Sequence, residues 1–261
     1  MELSLEGKVA LVNGASAGLG LASAIELAQL GATIILMARN EEKLQKALEQ
    51  LPKPHFQHHR IAVADMSQLE TVSIAVEKIL SEQPVHILVN NTGGPAAGPV
   101  HTAELSAFES AFRQHLLGNH LLATSVLPGM KAAGYGRIIN IISTSVKVPL
   151  KGLGVSNTIR GAVGNWSKTL ATEVAAWGIT VNNVLPGATE TERLSSIIDG
   201  KAARTGTQVD HVRNEMIDEI PAARFGKPLE VGAAVAFLAS PAAAYINGIN
   251  VPVDGGRTPS L

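Results

Sequence analysis

The chain has 261 residues, 46% of them apolar, and a formal net charge of −1 at pH 7. A single α/β core accommodates that length. The near-zero charge leaves no basic field for nucleic acid or an anionic membrane, and two Trp, two Tyr and five Phe offer few platforms for stacked bases. There are no cysteines, which removes disulfides, thiolate catalysis and zinc–thiolate sites and accords with a cytoplasmic location. No apolar stretch approaches the roughly 18 residues of a membrane helix, and the run at residues 9–12 is too short for a signal-peptide core.

Taken in chain order, short apolar runs alternate with segments of helical period. Strands are expected at 9–12, 33–37, 56–63, 85–89, 137–142, 179–185 and 249–251. Helices are expected at 18–30, 41–51, 68–80, 103–133 (with a break near Ser106), 155–176 and 229–239. The strands read as continuous apolar runs, so both faces of the sheet are covered. Strands alternating with helices imply βαβ crossovers and a parallel sheet. The expected fold class is therefore α/β: one domain, a doubly wound parallel sheet of Rossmann type with helices on both faces. Ligands then bind outside the carboxyl ends of the strands. Residues 188–225 are the least regular part and follow a strand end on that side, which suggests a substrate lid.

The first strand-to-helix turn reads Asn13-Gly14-Ala15-Ser16-Ala17-Gly18-Leu19-Gly20. Glycines at 14, 18 and 20 allow a tight turn and a close backbone approach to a pyrophosphate, and the following helix presents its N-terminal N–H groups to the anion. The second strand ends in Met37-Ala38-Arg39-Asn40, with no acidic residue to hold two ribose hydroxyls. Arg39 is suited to a 2′-phosphate, so NADP(H) is favoured over NAD(H); the plain alternative is a solvated arginine at a helix start. His55, His58 and His59 do not make a metal site, because neighbours on a strand point to opposite faces.

The Gly-x-x-x-Gly-x-Gly spacing resembles the short-chain dehydrogenase/reductase family. Further resemblances run along nearly the whole chain: Asp65-Met66 after the third strand, Asn90-Asn91-Thr92-Gly93 after the fourth, Gly136 to Ser143 along the fifth, Val181 to Gly187 with Thr191, Arg224 to Pro228, and Val253 to Gly256. The resemblance implies an oxidoreductase acting on a carbonyl/alcohol pair. It also implies cofactor contacts from Gly14, Ser16, Gly18, Leu19, Gly20, Arg39, Asp65, Met66, Asn91, Gly93, Arg160, Pro186, Gly187, Thr189 and Thr191. A two-fold symmetric homotetramer, or at least a homodimer, is implied as well, with 103–133 and 155–176 packed against their copies. Apolar residues beyond one stripe (Leu121, Leu122, Val126, Val163, Trp166, Leu170) fit that assembly.

Of the family's catalytic Asn, Ser, Tyr and Lys, the resemblance keeps only Ser143. Ser156 stands in the tyrosine place, Arg160 in the lysine place and His115 in the asparagine place. The only tyrosines, Tyr135 and Tyr245, lie elsewhere. An aliphatic hydroxyl is a far weaker acid than a phenol, and an arginine keeps the positive charge without relaying protons. Lys147 leads the candidates for a replacement donor, followed by Lys151 and by His115, which otherwise serves as a hydrogen-bonded core histidine. The branch carrying Ser-Asn-x-x-Arg resembles 3-oxoacyl-carrier-protein reductases, so the substrate is a small molecule or an acyl thioester. A second reading stays open: a nicotinamide-dinucleotide-binding sensor or assembly partner without turnover.

Overall fold

The computed structural model describes residues 1–260. Seven strands form one sheet: β1 (Val9–Asn13), β2 (Thr33–Ala38), β3 (Arg60–Val63), β4 (Ile87–Asn90), β5 (Gly136–Ile141), β6 (Ile179–Pro186) and β7 (Asn250–Val253). Their order is β3-β2-β1-β4-β5-β6-β7 and every pairing is parallel. The chain reverses direction across the sheet between β1 and β4, where doubly wound sheets hold their ligands.

Alternate residues of each strand feed two cores. From β1 and β2, Ala10, Val12, Ile34 and Leu36 pack on one face with α1 (Gly18–Gln29), α2 (Glu41–Leu48) and α9 (Pro228–Ala239). Leu11, Ile35 and Met37 pack on the other, with α3 (Leu69–Glu82), α5 (Gly118–Ala133) and α6 (Gly154–Val174). Both faces are apolar because both are covered, which is why the strands read as unbroken runs. No helix among the described residues is long and apolar enough to cross a membrane.

The structure departs from the sequence expectations in four places. The third strand begins at Arg60, not 56: residues 54–55 form a turn and Phe56 is 90% exposed with a positive φ of 58°. His58 and His59 thus precede the strand, and His59 is buried with Nδ1 accepting from Ile34 N at 3.0 Å. In the 103–133 region, α4 starts at Leu105 and runs to Phe112, and the irregularity is a π-helical turn at Arg113–Leu117 rather than a break near Ser106. The 188–225 region contains two helices, α7 (Glu192–Thr205) and α8 (Val209–Asp218), over their own apolar cluster of Leu194, Ile198, Val212, Ile220 and Phe225. Finally, Leu122, Val126, Val163 and Leu170 are spent on the protomer's own core, while Leu105, Phe112 and Leu117 stay exposed.

A row of asparagines crosses the sheet from the end of β4 to the start of β7. Asn90, Asn140, Asn183 and Asn250 are register partners on β4, β5, β6 and β7. Asn90 Nδ2 donates to Asn140 Oδ1 at 2.8 Å, Asn140 Nδ2 to Asn183 Oδ1 at 3.1 Å, and Asn183 Nδ2 to Asn250 Oδ1 at 2.8 Å. Ser167 of α6 closes the network, accepting from Asn140 Nδ2 at 2.8 Å and donating to Asn183 Oδ1 at 2.8 Å. An amide carries both donors and an acceptor, so a chain of them satisfies buried groups across several strands.

Candidate functional site

The turn after β1 is locked to the end of β4. Gly14 has a φ of 61°, and a Cβ there would collide with the backbone carbonyl and side-chain amide of Asn91. A Cβ on Gly20 would collide with the Gly14 carbonyl. Asn91 Nδ2 donates to Gly14 O at 3.1 Å, and Ala15 N donates to Met37 O at 3.2 Å. At the start of α1, Ala17 provides no side-chain cap and the first turn holds no acidic residue. The helix therefore presents free N–H groups and the positive end of its dipole, a fit for a phosphate. Ser16 and Leu19 are half-buried beside it.

One strand further out, Arg39 is exposed beyond the end of β2, and Asn40 caps α2 by accepting from Lys43 N at 2.8 Å. Asp65 accepts from Ser67 N at 2.9 Å and from Ser67 Oγ at 2.8 Å. The backbone hydrogen bond holds its carboxyl below the usual range, with a smaller contribution from the Arg39 charge. Met66 is buried and packs against α3 and α5, tight on Gly118.

Polar groups converge beyond β4 and β5. The π-helical turn holds one more residue than an α turn, and His115 in it is 2% exposed. His115 Nδ1 and Thr92 Oγ1 share a hydrogen bond of 2.5 Å. Burial, reinforced by the Arg160 charge, holds the His115 pKa at about 3, so the ring is neutral near pH 7. Arg160 is 8% exposed; its Nη1 donates to Ile141 O at 2.9 Å and its Nη2 to Thr92 O at 3.4 Å, while Nε has no partner. Desolvation, then the neighbouring Arg193 charge, lowers the Arg160 pKa to about 10. It still carries a full charge at neutral pH.

Ser143 lies two residues beyond β5 and caps a short turn, Thr144–Val146, by accepting from Ser145 N at 3.1 Å. Lys147 follows that turn and is half-buried, whereas Lys151 is exposed. Ser156 is half-buried one turn of α6 ahead of Arg160. Asn157, the Asn of the Ser-Asn-x-x-Arg stretch, has a role that the sequence did not reveal. Its Nδ2 donates to Leu150 O at 2.8 Å and its Oδ1 accepts from Leu150 N at 3.4 Å, so it pins the loop that carries both lysines.

The far wall follows β6. Pro186 and Gly187 are half-buried, and a Cβ on Gly187 would meet Asp254 Cα at 2.7 Å. Thr189 Oγ1 donates to Gly187 O at 3.1 Å; Thr191 caps α7, its Oγ1 accepting from Leu194 N at 3.3 Å. Thr191 Cγ2 comes within 3.7 Å of the point where a Gly18 side chain would begin. Arg193 reaches back across the cleft, its Nη2 donating to Pro95 O at 2.6 Å. Contacts thus link Gly14 and Gly20 with Asn91, Gly18 with Thr191, and Thr92 with His115 and Arg160, which also bonds the carbonyl of Ile141 two residues before Ser143. Asn157, Thr92 and Arg193 were missed because each acts through a backbone carbonyl or a long-range neighbour, which no local spacing reveals. Among the described residues, no three or more His, Asp or Glu side chains are grouped to hold a metal.

Comparison with known proteins agrees with this fold. The family model described as enoyl-(acyl carrier protein) reductase matches residues 14–258. A 3-oxoacyl-[acyl-carrier-protein] reductase of Vibrio cholerae is 34% identical, covering 97% of this chain and 98% of its own. A tropinone reductase homolog of Arabidopsis thaliana is 36% identical, covering 98% of this chain and 91% of its own. The structure of L-sorbose reductase from Gluconobacter frateurii, complexed with NADPH and L-sorbose, superposes with a TM-score of 0.93 at 32% identity over 100% of both chains.

His115 makes a pH prediction. Its folded pKa lies below the ordinary 6.5, so the unfolded chain binds the proton first as pH falls. Its contribution to stability is complete above about pH 6.5 and is lost toward pH 3, at up to about 1.4 kcal/mol per pH unit. Burial also lowers the pKa values of His59 and His86, so the comparison is with His115→Gln. Denaturant unfolding between pH 6.5 and 4 is expected to show a shallower loss of stability in the variant; equal slopes contradict it.

Proposed function

This chain is an oxidoreductase of the short-chain dehydrogenase/reductase family, and from that premise we propose an NADP(H)-dependent enzyme that interconverts a carbonyl and an alcohol. The observation that carries the reading is the uncapped N-terminus of α1, cradled by Gly14 and Gly20 and locked to Asn91, with Arg39 exposed at the adjacent strand end. When bound, the nicotinamide supplies or accepts the hydride.

The chain's own residues do the rest. The α1 N–H groups and Ser16 hold the pyrophosphate, and Leu19 lines it. Arg39 pairs with the 2′-phosphate, and Asp65 and Met66 flank the adenine. Asn91, Gly93, Pro186, Gly187, Thr189 and Thr191 line the nicotinamide half. Arg160 is fixed by two backbone carbonyls and orients the adjacent ribose. Ser143 binds the substrate oxygen. Ser156 is a weak acid, and a neutral His115 has no imidazolium proton to give. Lys147, one turn from Ser143, is therefore assigned as proton donor, with Ser156 and His115 positioning the oxygen. Residues 188–225 act as the lid over a small-molecule or 3-oxoacyl-thioester substrate in the cytoplasm.

The second reading, binding without turnover, draws on the same Ser156 and on the tie of Arg160 to backbone. NADPH consumption with ketones and 3-oxoacyl thioesters, measured beside NADPH binding, separates the two: binding with no turnover across the panel overturns the enzyme.

Three outcomes are expected. NADPH binds more tightly than NADH, and Arg39→Ala narrows the gap by about 1–3 kcal/mol, the scale of a charge-assisted contact to phosphate; equal affinities in the natural chain sink this. Lys147→Met lowers turnover by about 10²-fold or more with NADPH affinity nearly unchanged; unchanged turnover removes Lys147 from the chemistry. The exposed Leu105, Phe112 and Leu117 favour a homotetramer or homodimer, and a monomer by light scattering at micromolar concentration refutes it.

A further inference from the structure

Two guanidinium groups face one point at the end of β4. From the position where a Gly94 side chain would begin, Arg193 Nη2 lies 3.5 Å away and Arg160 Nη2 lies 3.8 Å away. Gly94 has no side chain, so the space between them is open. Arg160 is nine-tenths buried and its Nε is unpartnered. The groups it does bond, Ile141 O and Thr92 O, are neutral carbonyls, which orient the guanidinium without cancelling its charge.

No carboxylate of the described residues answers these two charges. The ionic neighbour acting on Arg160 is Arg193, of the same sign. The nearest acids along the chain are turned elsewhere: Glu190 faces Arg213 at 3.6 Å and Glu192 is exposed. A buried cation beside a second cation is strongly unfavourable without a counter-ion. Arg193 is exposed and solvated by water, whereas the buried Arg160 is left without a carboxylate partner.

We propose that the substrate carries a carboxylate next to its reacting carbonyl or alcohol, held between Arg193 and Arg160 over Gly94. This rests on the reductase reading and names its substrate class: oxo acids and hydroxy acids. The anion could come instead from a cofactor phosphate, which shares the chemistry. The position favours the substrate. The phosphate cradle lies at the end of β1 with its own helix N-terminus, whereas the arginine pair lies beyond β4, beside Thr92, His115 and the end of β5 that leads into Ser143. Arg193 sits in the first turn of α7 and already spans the cleft to Pro95 O, so an arriving carboxylate has a donor on the lid side that needs only to swing from a neutral carbonyl to an anion.

The test compares acid and amide pairs, pyruvate against pyruvamide and acetoacetate against acetoacetamide, in the natural protein and in Arg193→Gln and Arg193→Lys. The expected result is a kcat/KM for the acids about tenfold or more above the amides, on the scale of a charge-assisted contact. Arg193→Gln abolishes that preference, Arg193→Lys largely keeps it, and NADPH affinity stays within about twofold in both. Equal rates for acid and amide overturn the proposal while leaving the reductase reading intact. Arg193→Gln that weakens NADPH binding and leaves the acid preference unchanged assigns the pair to a cofactor phosphate and also overturns it. Calorimetry on the NADP-loaded protein with oxamate decides the case in which nothing is turned over. Saturable binding lost in Arg193→Gln supports the carboxylate site even as the reductase reading fails, and absence of binding ends it.

Discussion

The row of asparagines from Asn90 to Asn250 locks the register of β4 to β7. Neighbouring amides bond through their register partners, so slipping β5 or β6 breaks at least two of these buried hydrogen bonds and slipping β4 or β7 breaks one, at about 1–3 kcal/mol for each group left unpaired. Ser167 ties α6 into the same network. The loops that bear Asn91 and Thr92, Ser143 and Pro186 all leave the sheet within a residue or three of this row. Arg160 lies two turns before Ser167 on the same face of α6, so the heights of these loops relative to it are tied to the sheet. Asn91 carries the constraint across to β1 through Gly14, which admits no side chain.

A second consequence is electrostatic. The cleft is closed on one side by a buried guanidinium, and the imidazole beside it answers by staying neutral. Placing cation, neutral ring and hydroxyl together limits which protonation states are available. Arg160 cannot give up its proton usefully, Ser156 is a weak acid, and His115 is held uncharged. The proposed roles follow from that exclusion: a proton from Lys147, orientation from Arg160, and an anion drawn to Arg160 and Arg193.

Much of this was legible in the sequence for identifiable reasons. Continuous apolar strands and the glycine turn report on burial and close approach, and those properties are local. The parallel order and the cradle at α1 follow from them. Less legible were features that depend on distant partners. The π-helical turn at Arg113–Leu117 looks like ordinary helix because its residues keep helical apolar spacing. The helices α7 and α8 were hidden because their apolar residues serve a small local cluster, leaving a polar average. Phe56 lengthened the apparent third strand, yet its side chain is outside. Leu122 and Val126 suggested a partner subunit, yet the sheet's own core takes them. Asn157 and Arg193 act through Leu150 and Pro95 carbonyls, and a carbonyl has no signature in sequence.

Direct hydride transfer between a nicotinamide and a carbonyl carbon is tested by following the transferred hydrogen itself. The most direct measurement supplies NADPH carrying deuterium at C4, on each face in turn, and examines the alcohol product by mass spectrometry. Deuterium is expected on the carbinol carbon from one face and none from the other. An alcohol free of label from both faces, or no alcohol with any oxo acid, ketone or 3-oxoacyl thioester while NADPH remains bound, would contradict it.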